Sequence, residues 1–176
     1  GKRAYQCTYS FMDNVCDDHT YSQLFRTHSK TVFNYIYYKF GNEEKARDAV
    51  QEAFVKLWEN CSKVTPDKAK AFVYTVANNL YLNVIKAEKV RLKHRKEDTT
   101  TTRQDPEFLM EEQEFKEKLE NALSDLPENQ RTTFLLNRID GKTYAQIAEL
   151  EGVSVKAIEK RMHLALKSLR EKIDGI

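Results

Sequence analysis

Glycine and proline are scarce, with 5 and 3 residues in a chain of 176. Few breakers between long periodic segments exclude a turn-rich β fold and favour an all-α one. Cysteine is sparse too: Cys7, Cys16 and Cys61 stand too far apart for a metal-binding pair, and their number is odd. That usage fits a reducing cytosol better than a disulfide framework. His19, His28, His94 and His163 form no HExxH-like pair, so neither a metal nor a cofactor is expected. No apolar run approaches a membrane span and the first residues lack a signal-peptide core, so a cytoplasmic chain without membrane insertion is expected. Nor does one charge dominate: 29 Lys and Arg meet 27 Asp and Glu, for a net charge of +2. A chain so balanced does not coat nucleic acid by charge alone.

The charges are instead segregated. Lys86, Lys89, Arg91, Lys93, Arg95 and Lys96 face only Glu88 in one block, whereas Asp105 to Glu128 holds nine carboxylates against two lysines. Opposite blocks imply surfaces with different partners, or surfaces that face each other in a resting state.

Apolar periodicity predicts a helix from about Tyr21 to Phe40, through Leu24, Phe25, Val32, Phe33, Ile36 and Phe40. Gly41 and Asn42 end it and start a second, Glu43 to about Asn60, with Ala46, Val50, Phe54 and Trp58 four apart. Asp67 caps a third, which buries Phe72, Val73, Val76, Ala77, Leu80 and Val84 before running into the basic block. Glu97 to Asp105, EDTTTTRQD, has no apolar residue and cannot offset the entropy of ordering, so it reads as a linker. Asp105-Pro106 starts a helix through Phe108, Leu109, Phe115, Leu119, Ala122 and Leu126. Another follows from Asn129 to Asp140 through Phe134, Leu135 and Ile139. The expected organisation is an N-terminal extension (1–20), a helical domain (21–96), the linker (97–105) and a second helical domain (106–176).

The second domain ends on the most specific pattern in the chain. Thr143 with Gln146 makes a capping box, Ile147, Ala148 and Leu150 supply a buried side, and Gly152 permits a sharp bend. Ser154 then caps a helix whose Ile158, Met162, Ala165, Leu166 and Leu169 form one apolar stripe. Lys156, Lys160, Arg161 and Lys167 lie opposite. An apolar back and a basic front suit a helix-turn-helix that packs on its own domain and enters a phosphate-walled groove.

The order of motifs carries more than any one of them. The string Asp48-Ala49-Val50-Gln51-Glu52-Ala53-Phe54 precedes an aromatic, basic helix, a polar linker, Leu126-Pro127 and the helix-turn-helix. From about Tyr21 to Lys172 the chain resembles a bacterial RNA polymerase sigma factor of the extracytoplasmic-function (ECF) group, in the sigma-70 family. The resemblance implies that Asp48, Gln51, Glu52 and Lys56, with Leu57 at the edge, dock on core RNA polymerase. It implies that Lys63, Tyr74, Asn78, Asn79, Tyr81 and Asn83, with Lys86, Lys89 and Arg91, hold the melted strand of a promoter −10 element. The loop Asn60 to Lys70 corresponds to the family's variable base-reading loop. Ser154, Lys156, Ala157, Lys160 and Arg161 match the positions that meet the −35 element, with Arg131 and Arg138 as further backbone contacts. Phe72 stands where members commonly carry tryptophan, and Ala157 where threonine is frequent. Partners implied are core polymerase, promoter DNA and an anti-sigma factor or other regulator. No catalytic residue is expected, because Asp48 and Glu52 lie on an exposed helix without a phosphate loop or metal cluster. The competing reading is a stand-alone helix-turn-helix regulator, which would dimerise and would need neither the Asp48 helix nor the linker.

Overall fold

A computed structural model describes residues 14–92 and 110–173, with side chains over 14–88 and 114–173. The described residues form seven helices and no strand: α1 (Asp18–Phe40), α2 (Glu43–Glu59), α3 (Pro66–Leu92), α4 (Met110–Ser124), α5 (Glu128–Arg138), α6 (Tyr144–Glu151) and α7 (Val155–Lys172). The described residues fall into two compact units, 14–36 with 42–84, and 37–41 with 85–92 and 110–173. The expected linker and the Asp105-Pro106 helix start lie outside the described residues.

In the first unit, α1 starts earlier than its apolar periodicity predicts. The Asp17 carboxylate accepts from the Thr20 amide at 2.9 Å and from its hydroxyl at 3.0 Å, so Asp17 supplies a cap three residues ahead of Thr20. Gly41, at φ 79°, lets the chain leave α1, and Asn42 caps α2 by accepting from the Lys45 amide. Ala46, Ala49, Val50, Ala53, Phe54 and Leu57 give α2 its buried side. Small residues there let the helix approach its neighbours closely, while aromatic rings fill the remaining seam. Tyr21 packs edge-on to Phe54 and Trp58, and its hydroxyl donates to the Phe54 carbonyl at 2.8 Å. On α3, Ala69, Val73, Tyr74, Ala77 and Tyr81 face inward, with the Tyr74 ring 5.3 Å from that of Tyr35.

The spacing of four that grouped Trp58 with the core misleads over three steps. Each step overshoots a full turn by about 40°, so Trp58 has rotated roughly 120° away from Ala46. Its side chain is 42% exposed. Phe25, Val84, Phe115 and Ile139, also expected in the core, are exposed as well.

The second unit is built on α7. Ala122 and Leu126 from the α4 side pack with Ala165, Leu169 and Ile173, and Leu119, Leu123 and Phe134 close around them. The Lys172 ammonium donates to the Asp125 carboxylate at 2.8 Å, which ties the end of α7 to the end of α4. The predicted capping box of α6 is present in both directions: Thr143 Oγ1 accepts from the Gln146 amide at 3.2 Å, and Gln146 Oε1 accepts from the Thr143 amide at 3.0 Å. Gly152 ends α6 at φ 65°, a left-handed conformation that glycine adopts without strain, and Ser154 caps α7 through the Ala157 amide at 3.1 Å.

Candidate functional site

Three surfaces carry the residues singled out from the sequence. The first is the outward side of α2. Because Ala46, Ala49, Ala53 and Leu57 turn inward, helical geometry brings Asp48, Gln51, Glu52 and Glu59 together on the opposite side. Val55, 49% exposed, lies in the middle of them, with the exposed Trp58 along one edge. Lys56 sits on the flank, its ammonium 3.5 Å from Glu52. The result is an exposed apolar centre framed by carboxylates and an amide.

The second surface runs along α3 and the turn before it. Cys61 to Thr65 leaves α2 in a short loop, and Pro66 opens α3, so the latter half of the Asn60–Lys70 tract is helix rather than loop. The Thr65 hydroxyl donates to Asp67, which holds that carboxyl below its ordinary range. From there, Lys68, Thr75, Asn79, Asn83 and Lys86 are exposed at spacings that keep them on one side of the helix. Lys63 is exposed in the loop, and Asn78 is half-buried beside the stripe.

The third surface is α7. Ile158, Met162, Ala165 and Leu169 are buried, so Lys156, Lys160, His163 and Lys167 form the outward ridge. Ser154 is exposed at the helix start and Ala157 is half-buried beside it. The small alanine leaves the first turn open to a close approach. Among the described residues no group of His, Cys, Asp and Glu could hold a metal ion.

The comparisons with known proteins match two segments of the chain. Residues 24–91 match the family model "Sigma-70 region 2" and residues 116–169 match "Sigma-70, region 4", together well over half of the chain. The chain belongs to the sigma-70 family. Its relatives include the ECF RNA polymerase sigma factor SigE of Mycolicibacterium smegmatis, 24% identical over 86% of this chain and 61% of the relative. RNA polymerase sigma factor YlaC of Bacillus subtilis is 23% identical over 84% and 88%. The ferric citrate uptake sigma factor FecI of Escherichia coli is 24% identical over 84% and 87%. Among solved structures, the sigma factor RpoE in complex with the anti-sigma factor NepR from Bartonella quintana shares the fold. The TM-score is 0.60 at 20% identity, over 88% of this chain and 98% of that one.

Within this sigma factor several expected contact residues prove to be supports. Leu57 is fully buried and cannot touch a partner at the α2 face. Its side chain points to the core, from the side of α2 opposite that face. Tyr74 and Tyr81 are buried too, because they lie seven residues apart on the inward side of α3, so neither ring can stack on a base. Arg161 leaves the outward ridge of α7: its guanidinium lies 3.4 Å from Glu151, with side-chain exposures of 20% and 12%. It fastens the end of α6 to α7. Arg131 also turns inward, donating to the Leu126 carbonyl at 3.2 Å and the Ser124 carbonyl at 3.4 Å. The side chains of Lys89 and Arg91 lie outside the described residues.

The contact sets in turn omitted Val55, Trp58, Lys68, Thr75, His163 and Lys167. Extending the helical spacing from Asn79 back to Thr75 and Lys68, and from Lys160 on to His163 and Lys167, would have found four of them. Val55 and Trp58 gave no polar signal.

Proposed function

We propose that this sigma factor docks on core RNA polymerase through the α2 face, formed by Asp48, Gln51, Glu52, Val55 and Trp58 with Lys56 at its flank. Carboxylates framing an apolar centre suit a basic, partly apolar partner helix, because charge guides the approach and Val55 with Trp58 supplies buried area. The loop from Cys61 and the stripe Lys63, Lys68, Thr75, Asn79, Asn83 and Lys86 hold the melted strand of the −10 element, with Asn78 beside them. Amide and hydroxyl groups meet base edges there while the lysines neutralise phosphates. Lys89 and Arg91 are proposed as further phosphate contacts to that strand. Ser154, Lys156, Ala157 and Lys160 read the duplex −35 element, and His163 with Lys167 adds backbone contacts.

The functional division is then residues 21–96 for polymerase and −10 DNA, 97–105 as linker, and 106–176 for −35 DNA. The protein acts in the cytoplasm and makes or breaks no bond of its own; polymerase supplies the chemistry. An anti-sigma factor is the proposed regulator, in keeping with the opposite charge blocks at 86–96 and 105–128.

The α2 face carries this reading. A stand-alone DNA reader has no use for such a strip in a unit separate from its helix-turn-helix. Reversing charge with Asp48→Lys and Glu52→Lys tests it. Affinity for core polymerase should fall by about tenfold or more, the loss of roughly one to two charge-assisted contacts. Duplex DNA binding by the same variant should be unchanged. Undiminished polymerase binding would refute the assignment.

A further inference from the structure

Cys16 and Cys61 were expected to be separate thiols, yet they are paired in a disulfide with their Cα atoms 4.9 Å apart, 45 residues apart in sequence. Both ends of the bridge sit in short turns whose described hydrogen bonds are local. Cys16 lies in the Asn14–Asp17 turn, where its amide donates to Asn14 Oδ1 at 3.0 Å, the Asp17 amide donates to the Asn14 carbonyl, and Asp17 caps α1. Cys61 opens the loop between α2 and α3. The described hydrogen bonds of residues 61–65 stay within that neighbourhood: Cys61 to Trp58, Lys63 and Val64 to Asn60, and Thr65 with Lys68 and Asp67. The bridge is therefore the covalent tie between this loop and a capped turn on another element. Both cysteines are half-buried, within reach of a small thiol reagent.

We propose that Cys16 and Cys61 are a reversible redox modification site that sets the order of the base-reading loop. The co-reactant class is a low-molecular-weight disulfide. One cysteine thiolate attacks a sulfur of glutathione disulfide, forming a mixed disulfide and releasing one glutathione. The second cysteine thiolate attacks the protein sulfur of that mixed disulfide and releases the other. Two electrons leave the protein, two protons leave its thiols, and two glutathione thiols form; a dithiol reductant reverses the exchange. A permanent structural bridge does not suit a cytoplasmic protein, whereas a bridge that opens and closes with thiol status does. With the bridge closed, Lys63 and its neighbours are pre-positioned, and strand binding bears less of the cost of ordering them.

The inference rests on the −10 reading of the loop, and its test separates the two. The full chain is equilibrated with glutathione disulfide or with dithiothreitol, alkylated, and peptide-mapped, with Cys16→Ser and Cys61→Ser as separate controls. Hydrogen exchange is followed over residues 61–65, and the polymerase-bound chain is titrated with a random single-stranded DNA pool. A Cys16–Cys61 peptide, slower loop exchange in the oxidised chain, and about fivefold tighter strand binding that both variants lack would support the site, the factor being that of ordering roughly one loop residue. An absent link, or links predominantly to Cys7, would overturn the pairing. A link that leaves loop exchange or strand affinity unchanged would overturn control of the loop. Failure to bind polymerase in either state would sink the sigma reading alone, because mapping and exchange still decide whether the thiol pair governs the loop.

Discussion

Arg161 and Lys160 are neighbours in sequence with the same charge and different work. Lys160 points outward, while Arg161 faces Glu151, whose second carboxylate oxygen is buried without a described partner. Arg161→Ala should therefore lower unfolding stability by about 1–2 kcal/mol, since it strands a half-hidden carboxylate. Lys160→Ala should leave stability unchanged and reduce the slope of duplex binding against log salt by about one unit. Denaturant titration and salt-series binding of the two variants check the pair of outcomes. Thr143→Ala, away from the outward ridge, should cost about 1 kcal/mol through the lost cap and show in the same denaturation. At this scale the caps of α6 and α7 were legible because their chemistry is local, Thr143, Gln146 and Ser154 needing only neighbours within three residues, whereas Asp67, expected to cap α3, lies inside its first turn behind Pro66. Arg161 was legible in sign and not in direction, because its partner lies across the turn of Gly152. Asp17 adds a pH signature. Hydrogen bonds from the Thr20 amide and then its hydroxyl hold its carboxyl below the ordinary value near 3.8. A depressed carboxyl contributes stability above its unfolded pKa and loses it as pH falls through the lower folded value. The start of α1 should accordingly be insensitive to pH between neutrality and about pH 5 and fray only in stronger acid, which an NMR titration of the Thr20 amide would follow.

At the scale of the element, α2 shows how two faces divide one helix. Its inward side is rich in alanine and its outward side contains a valine and a tryptophan, so counting apolar residues does not separate the buried face from the exposed one. Leu57→Ala should destabilise the chain by about 2–5 kcal/mol as a core truncation. Val55→Ala should change stability by less than about 0.5 kcal/mol yet weaken polymerase binding. Thermal unfolding and polymerase titration together distinguish these roles. Helix positions were readable from periodicity, with α2 ending one residue before its expected limit. The division of Trp58 from Phe54 was not, because a spacing of four drifts around the helix over several turns. The disulfide was beyond sequence reading for a different reason: only the packing of α1 against α2 brings Cys16 to the exit turn of Cys61, and no spacing rule encodes that approach.

For the whole molecule, the sequence-level resemblance depended on order along the chain, with an acidic docking helix, a polar tract and a helix-turn-helix in succession. Among the described residues the helices fold as two compact units carrying three distinct surfaces. A near-neutral net charge suits the proposed division of labour, with cations along α3 and α7 offered to DNA and carboxylates on α2 offered to polymerase. The same distribution predicts opposite responses to a single change. Charge reversal on α2 impairs recruitment without touching duplex binding, whereas loss of Lys160 does the reverse. Sigma function requires both to converge on initiation. The most direct measurement is run-off transcription from a bacterial promoter library, using sigma-free core RNA polymerase with and without this chain. Promoter-dependent transcripts that need the chain, and disappear with Asp48→Lys and Glu52→Lys, are the predicted result. Transcription that no promoter and no active core makes dependent on the chain would contradict the account.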